Sequence, residues 1–199
     1  QCTTGQQNTA VGAGGPLGAL TTGEYNTAVG SAAMDAQTTG SYNCAYGVHA
    51  LSASTTASKN TAIGYYALSK VDAGENTAVG YVAGEEMTTG TGNTHIGHEA
   101  GENNSTGNYN TSVGAACLRA VTGGQDNTAM GCGAAINTTG SDNTMIGRQA
   151  GEDNTTGSSN TFIGNGAGDS MTTSSTNICI GHNSGNSNET RVITIGTDI

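Results

Sequence analysis

Residues 74–84 read GENTAVGYVAG, and close variants of this phrase run from one end of the chain to the other. NTAIGYYAL stands at 60–68, NTMIGRQAG at 143–151 and NTFIGNGAG at 160–168. The asparagine that opens the phrase recurs at Asn8, Asn26, Asn43, Asn60, Asn76, Asn93, Asn110, Asn127, Asn143, Asn160 and Asn177. Successive gaps are 18, 17, 17, 16, 17, 17, 17, 16, 17 and 17 residues. No linker or composition shift interrupts the series, so residues 1–199 read as one continuous repeat domain. A degenerate terminal coil at 191–199 carries VITIG.

With the asparagine as position zero, each place in the phrase has its own rule. Position +1 is Thr in nine of eleven copies, Cys44 and Ile178 being the exceptions, and +3 is aliphatic or Met in all but Tyr46. Position +4 is always Gly, +7 is always small, and −3 is Gly in eight copies. A period near 17 is too short for a helical-repeat unit, which needs roughly 33 residues or more. The recurring Gly and Thr-Thr-Gly also break any i, i+3, i+4 apolar run.

TAVG and TAIG, with β-branched residues at alternate places, predict a short extended segment. A second short segment after the Gly (YYAL, HEAG) reads as another strand, and the TTG turn returns the chain. The expected fold class is therefore all-β: a parallel β-solenoid, in the sense of a β-helix or β-roll, of about eleven 17-residue coils. Gly at +4 supplies a bend where a Cβ would clash, and the asparagines are expected to form a structural ladder from coil to coil. Thr at +1 and Val or Ile at +3 share one strand face and are assigned to the interior. Position +2, Ala in six copies, then faces outward, and a mostly apolar outer face suggests cover by other copies of the chain, with a trimer preferred.

Composition agrees with a thin, regular core. The chain has 33 Gly, one Phe, no Trp and one Pro, and 34% of its residues are hydrophobic. Disordered chains are rich in charge and proline, whereas this one is 10% charged and keeps its apolar residues in register. A net charge of −10, with five scattered basic residues, argues against nucleic acid and against anionic membrane surfaces. No apolar run approaches the roughly 18–20 residues of a membrane span. Residue 1 is Gln and no signal peptide is read, as expected of a processed form or a piece of something longer.

Residues that could carry chemistry are few. The five cysteines (Cys2, Cys44, Cys117, Cys132, Cys179) lack CxxC spacing, which speaks against zinc. They read as small residues standing in for Ala or Thr, with Cys2 the candidate for an intermolecular bond. No catalytic constellation and no nucleotide-binding fingerprint appears, so no catalytic, cofactor-binding or metal residues are expected. His95 and His98 with Glu99 and Glu102 could be imagined around a metal, but one such group in a repeat reads as drift. Glu85, Glu86, Glu102, Asp153 and Asp169 fall in the variable turn. Their edge could take Ca²⁺ through oxygen ligands, although the calcium-roll motif is absent and a solvated rim is the plainer reading. Asn103, Asn104, Asn137, Asn154 and Asn188 are glycosylation candidates. The first four are placed in exposed turns, and the sequon at Asn110 is expected to be inaccessible as part of the ladder.

NTAIGYYAL…NTAVGYVAG…TTGTGNTHIG resembles the Asn-Thr-Ala-Ile-Gly repeats of phage and algal-virus tail-fibre-like proteins and of large bacterial surface proteins. NETRVITIGTDI is similar to the segment that often precedes an endosialidase-type chaperone domain in those proteins. More loosely, the repeat is similar to the β-roll heads of trimeric autotransporter adhesins, whose repeat is shorter. The resemblance covers about residues 5–196 and implies a trimeric, extracellular, non-catalytic fibre. From the residues themselves, the leading expectation is the shaft or adhesive segment of a viral or cell-surface appendage. Its coil edges call for partners, so head-to-tail assembly is a further expectation. The alternative is a surface-binding solenoid, an adhesin for cell-surface glycans or an ice-binding protein, which requires +1 and +3 to face outward. Tyr65, Tyr66 and Tyr81 would offer glycan-stacking surfaces. An enzyme with a cleft between chains is the third option.

Overall fold

The computed structural model describes residues 4–185 and 187–196. Twelve three-residue strands, from β1 (Thr9–Val11) to β12 (Ile193–Ile195), stack in chain order as one parallel sheet. The register pairs like with like: Thr61 opposite Thr77, Ala62 opposite Ala78 and Ile63 opposite Val79. The fold is a β-solenoid with one strand per coil. With about 4.8 Å between neighbouring parallel strands, the twelve rungs extend for roughly 50 Å.

The second strand expected in each coil is absent among the described residues, and backbone conformation explains why. Positions +6 and +8 adopt the left-handed region, as at Tyr66 (φ 54°) and Leu68 (φ 49°), so the segment runs as consecutive turns. Its backbone still ladders to the neighbouring coils. Tyr66 N donates back to Val48 O (3.0 Å) and Leu68 N donates forward to Ala83 O (3.0 Å). Each non-Gly left-handed residue carries a cost of order 1 kcal/mol, and these inter-coil bonds offset it. At +4 the demand is stricter. Gly64 has φ 138° and Gly97 φ 142°, and a Cβ on either would collide with the backbone of the corresponding glycine one coil on. That explains a glycine in every copy.

The structure reverses the expected sidedness of the strand. Position +2 points inward: Ala28, Ala45, Ala62, Ala78, His95, Ser112, Ala129, Met145, Phe162 and Cys179 are fully buried. Positions +1 and +3 face out, with Thr61 half-buried and Ile63 39% exposed. Side chains in a strand alternate faces, so +2 shares its side with the asparagine at zero. The amides of those asparagines must be paired inside, and that fixes the parity.

The interior is narrow, and its volume is exchanged between two positions of each coil. Where +2 is Ala or Ser, +8 is large, as in Ala28 with Met34, Ala45 with Leu51, Ala62 with Leu68, and Ser112 with Leu118. Where +2 is larger, +8 is glycine. A Cβ on Gly101, Gly151, Gly168 or Gly185 would strike His95, Met145, Phe162 or Cys179 respectively. Among the buried +2 positions two depart from the rule: Ala78 with Gly84, where Met87 contributes the volume, and Ala129 with Ala135, both small, where Ala129 stacks on Met145 of the next coil. Position +7 completes the wall with buried small residues such as Ala67, Ala100 and Cys117.

This exchange is testable. Phe162→Ala should cost about 3–5 kcal/mol in denaturant unfolding because it empties the slot. F162A/G168L should recover more than half of that loss, since Leu already occupies the left-handed +8 position in other coils. A double-mutant cycle reads the coupling; additive losses would contradict volume exchange.

Candidate functional site

The most regular constellation in the molecule is the asparagine ladder. From Asn26 to Asn177, each ladder asparagine donates its backbone N–H to the Oδ1 of the asparagine one coil earlier, at 2.9–3.1 Å. Val192 N continues the series onto Asn177 Oδ1 at 2.8 Å. From Asn8 to Asn160, each Nδ2 also donates to a carbonyl 13–15 residues further on, at 2.8–3.0 Å. One bond joins coils and the other closes the asparagine's own coil. At Asn177 the Nδ2 has no partner among the described residues.

The other sequence candidates are scattered. Asn137 and Asn188 are exposed and Asn103 is half-buried, but Asn104 and Asn154 are fully buried, contrary to the expectation of exposed turns. Both stand at +11, whose side chain points into the coil, so neither can carry a glycan on the folded chain. Asn110 is buried within the ladder. His95 and His98 lie on opposite sides of the wall, the former interior and the latter exposed beside Glu99 (3.6 Å). The imagined grouping with Glu99 and Glu102 therefore does not form, and no group of three metal-ligating side chains occurs among the described residues.

Burial alone lowers the pKa of His95 to about 4. Its ring is held by Ser112 Oγ at Nδ1 (2.7 Å) and by Asn104 Nδ2 at Nε2 (3.2 Å). Cys117 is buried and its thiol is pushed up to about 12, burial being the main cause. Cys179 is also buried, Cys44 half-buried and Cys132 exposed, and Cys2 lies outside the described residues. On the rim, burial and then neighbouring carboxylates raise Glu85 and Asp169. At Asp72 burial pushes upward too, but hydrogen bonds from Thr55 and Thr56 outweigh it and hold its carboxyl below the ordinary range.

No concave pocket occurs among the described residues, so what the molecule offers a partner is surface. Over twelve rungs, positions +1 and +3 contain no Asp, Glu, Lys, Arg or His. Charges sit elsewhere, as in the Lys59–Glu75 pair (2.9 Å) at −1 and the Lys70–Glu86 pair at +10. The two threonine columns also differ. At +12, Thr38 and Thr155 donate their hydroxyls to carbonyls one coil on, at 2.9 Å. The +1 threonines make no side-chain hydrogen bond among the described residues. Beside the face, Tyr65, Tyr81 and His98 form a column with ring centroids 5.4 and 5.2 Å apart and nearly parallel planes. Their faces cover one another, leaving mainly edges to solvent. Sequence reasoning missed this charge-free face because it had been assigned to the interior; the absence of charge at +1 and +3 was the available signal.

Compared with known protein families, curated proteins and solved structures, the chain finds no match.

The ladder gives a sharp expectation. Asn110→Ala strips acceptors from Asn127 N and Asn127 Nδ2 and the donor from Gly124 O. At about 1–3 kcal/mol for each buried group left unpaired, the loss should be roughly 3 kcal/mol or more. Asn137→Ala, at an exposed turn, should stay within about 0.5 kcal/mol. Equal costs in chemical denaturation would contradict the ladder's role.

Proposed function

We propose that the chain is a non-catalytic structural element: the shaft or adhesive segment of an extracellular fibre on a virion or cell surface. The observation that supports this most is the charge-free outer face, mostly of Thr and aliphatic side chains, which runs along all twelve rungs. Long exposed apolar strips are uncommon on isolated chains and mark interaction surfaces. Copies associating side by side would bury the +3 column, and a three-fold arrangement brings one such strip from each chain to a common axis. The homotrimer therefore remains the preferred form, with its seam at +3 rather than at +2. Head-to-tail contact between coil edges would extend the fibre. The resemblance to Asn-Thr-Ala-Ile-Gly repeat fibres points the same way, and the reading requires no cofactor, nucleic acid or membrane.

Light scattering coupled to size-exclusion chromatography tests it, with electron microscopy for shape. Purified protein should have three times the chain mass and form rods. Ile63→Glu, Ile96→Glu and Ile163→Glu together should reduce it to single chains with an unchanged circular dichroism spectrum. Single-chain particles at every concentration would overturn the oligomer.

A second reading has its own support. Unpaired hydroxyls at +1, spaced about 4.8 Å along the stack and about 6.7 Å from the +3 column, suit a partner that itself repeats, such as ice or a glycan array. A single-chain preparation without thermal hysteresis or ice shaping removes the ice version.

A further inference from the structure

The apolar interior of the solenoid is not continuous. One cluster runs from Leu17 to Met87 and a second from Cys117 to Cys179. Between Met87 and Cys117 the only buried hydrophobic residue is Ala100; the remaining buried side chains there are Asn93, His95, Asn104, Asn110 and Ser112. The coil that opens at Asn93 is thus a polar disc between two apolar stacks.

Its hydrogen bonds admit one protonation state. Asn104 Oδ1 accepts from Gly107 N (3.0 Å), which fixes the amide orientation. Asn104 Nδ2 then donates to Asn93 Oδ1 and to His95 Nε2, each at 3.2 Å. Nε2 must accept, so Nδ1 carries the proton and donates to Ser112 Oγ (2.7 Å). A second proton on Nε2 would face an N–H donor. Flipping the amide to receive it would turn that donor toward Gly107 N instead. No charged group faces the ring from its own or the adjoining coils. Ala78, Gly84 and Met87 adjoin it on one side and Ser112 on the other, while Glu85, Glu86, Glu99, Glu102 and His98 stand on the outer side of the wall.

We propose that the coil spanning Asn93–Tyr109 is an acid-weakened joint, at which the solenoid opens between its two apolar stacks when His95 takes a proton. In a stacked repeat each coil is held only by its neighbours, so one weakened coil uncouples the two sides without unfolding either. The sign follows from linkage. His95 is neutral in the folded coil down to about pH 4 and takes its proton near 6.5 once opened. Lower pH therefore favours the open form, by up to about tenfold per pH unit inside that window. Stability is fully present above about pH 6.5. The joint holds whichever partner the outer face takes.

The test uses the full chain. Hydrogen exchange, corrected for intrinsic rates, should show the opening constant of amides in 94–112 rising by up to about tenfold per pH unit from 6.5 toward 4. Amides in 144–163 should stay level over the same range. His95→Met is the matched control, because the coil at Asn143 already combines Met145, Gly151 and Asn154 at these positions. In H95M the pH dependence should vanish. The same slope in both proteins, or uniform loosening along the array, would overturn the joint. Should H95M fail to fold, NMR titration of His95 in the unaltered chain decides: a midpoint well below 6.5 supports the joint and one near 6.5 overturns it.

Discussion

One interaction sets the rest of this structure: the buried asparagine whose Oδ1 receives the next coil's backbone N–H while its Nδ2 reaches across to the returning turn. A coil of about 17 residues cannot bury enough apolar surface to define its own shape. The ladder supplies that definition by making chain closure and coil stacking depend on a single side chain. Aspartate could accept but not donate, and glutamine would not fit the same reach, so neither could do both tasks. Once the asparagine points inward, strand alternation sends +2 inward with it, and +1 and +3 must face out.

The interior that results is thin, and its tolerance is local. In most coils a large side chain comes from +2 or from +8 and not from both, and where +2 is large a glycine at +8 makes room for it. This is close packing achieved coil by coil. It lets a single polar set, His95 with Asn104 and Ser112, replace an apolar one in mid-array while the ladder passes through uninterrupted. The glycines at +4 do different work: they allow successive backbones to stack where any side chain would intrude.

Much of this was legible in the sequence. Period, parallel stacking, the asparagine ladder and the glycine bend all follow from residues that recur at fixed places. The second strand was misread because YYAL has the composition of a strand, and nothing in Tyr66 or Leu68 announces a left-handed backbone. Sidedness was misread for a different reason. Val and Ile at +3 looked like core and Ala at +2 like surface, a rule of thumb that fails when a narrow interior takes its bulk from another position of the coil, as it does from Leu68 beside Ala62. Parity with Asn60 would have placed Ala62 inside from sequence alone. Asn104 and Asn154 were misplaced because the turn they sit in alternates inward and outward residues, so the sequon looked accessible when its asparagine was not. The charge-free outer face follows from the corrected sidedness, and with it the support for a fibre seam moves from +2 to +3.

The account rests most directly on which residues point inward, and the chain carries its own probes. Cys132 at +5 lies outside, while Cys179 at +2 and Cys117 at +7 lie inside. Alkylation of the folded protein at neutral pH, mapped by mass spectrometry, should modify Cys132 and leave Cys117 and Cys179 unreacted until denaturant is added. Reaction of Cys179 in the folded protein at the rate of Cys132 would contradict the inward +2 position, and the ladder's parity with it.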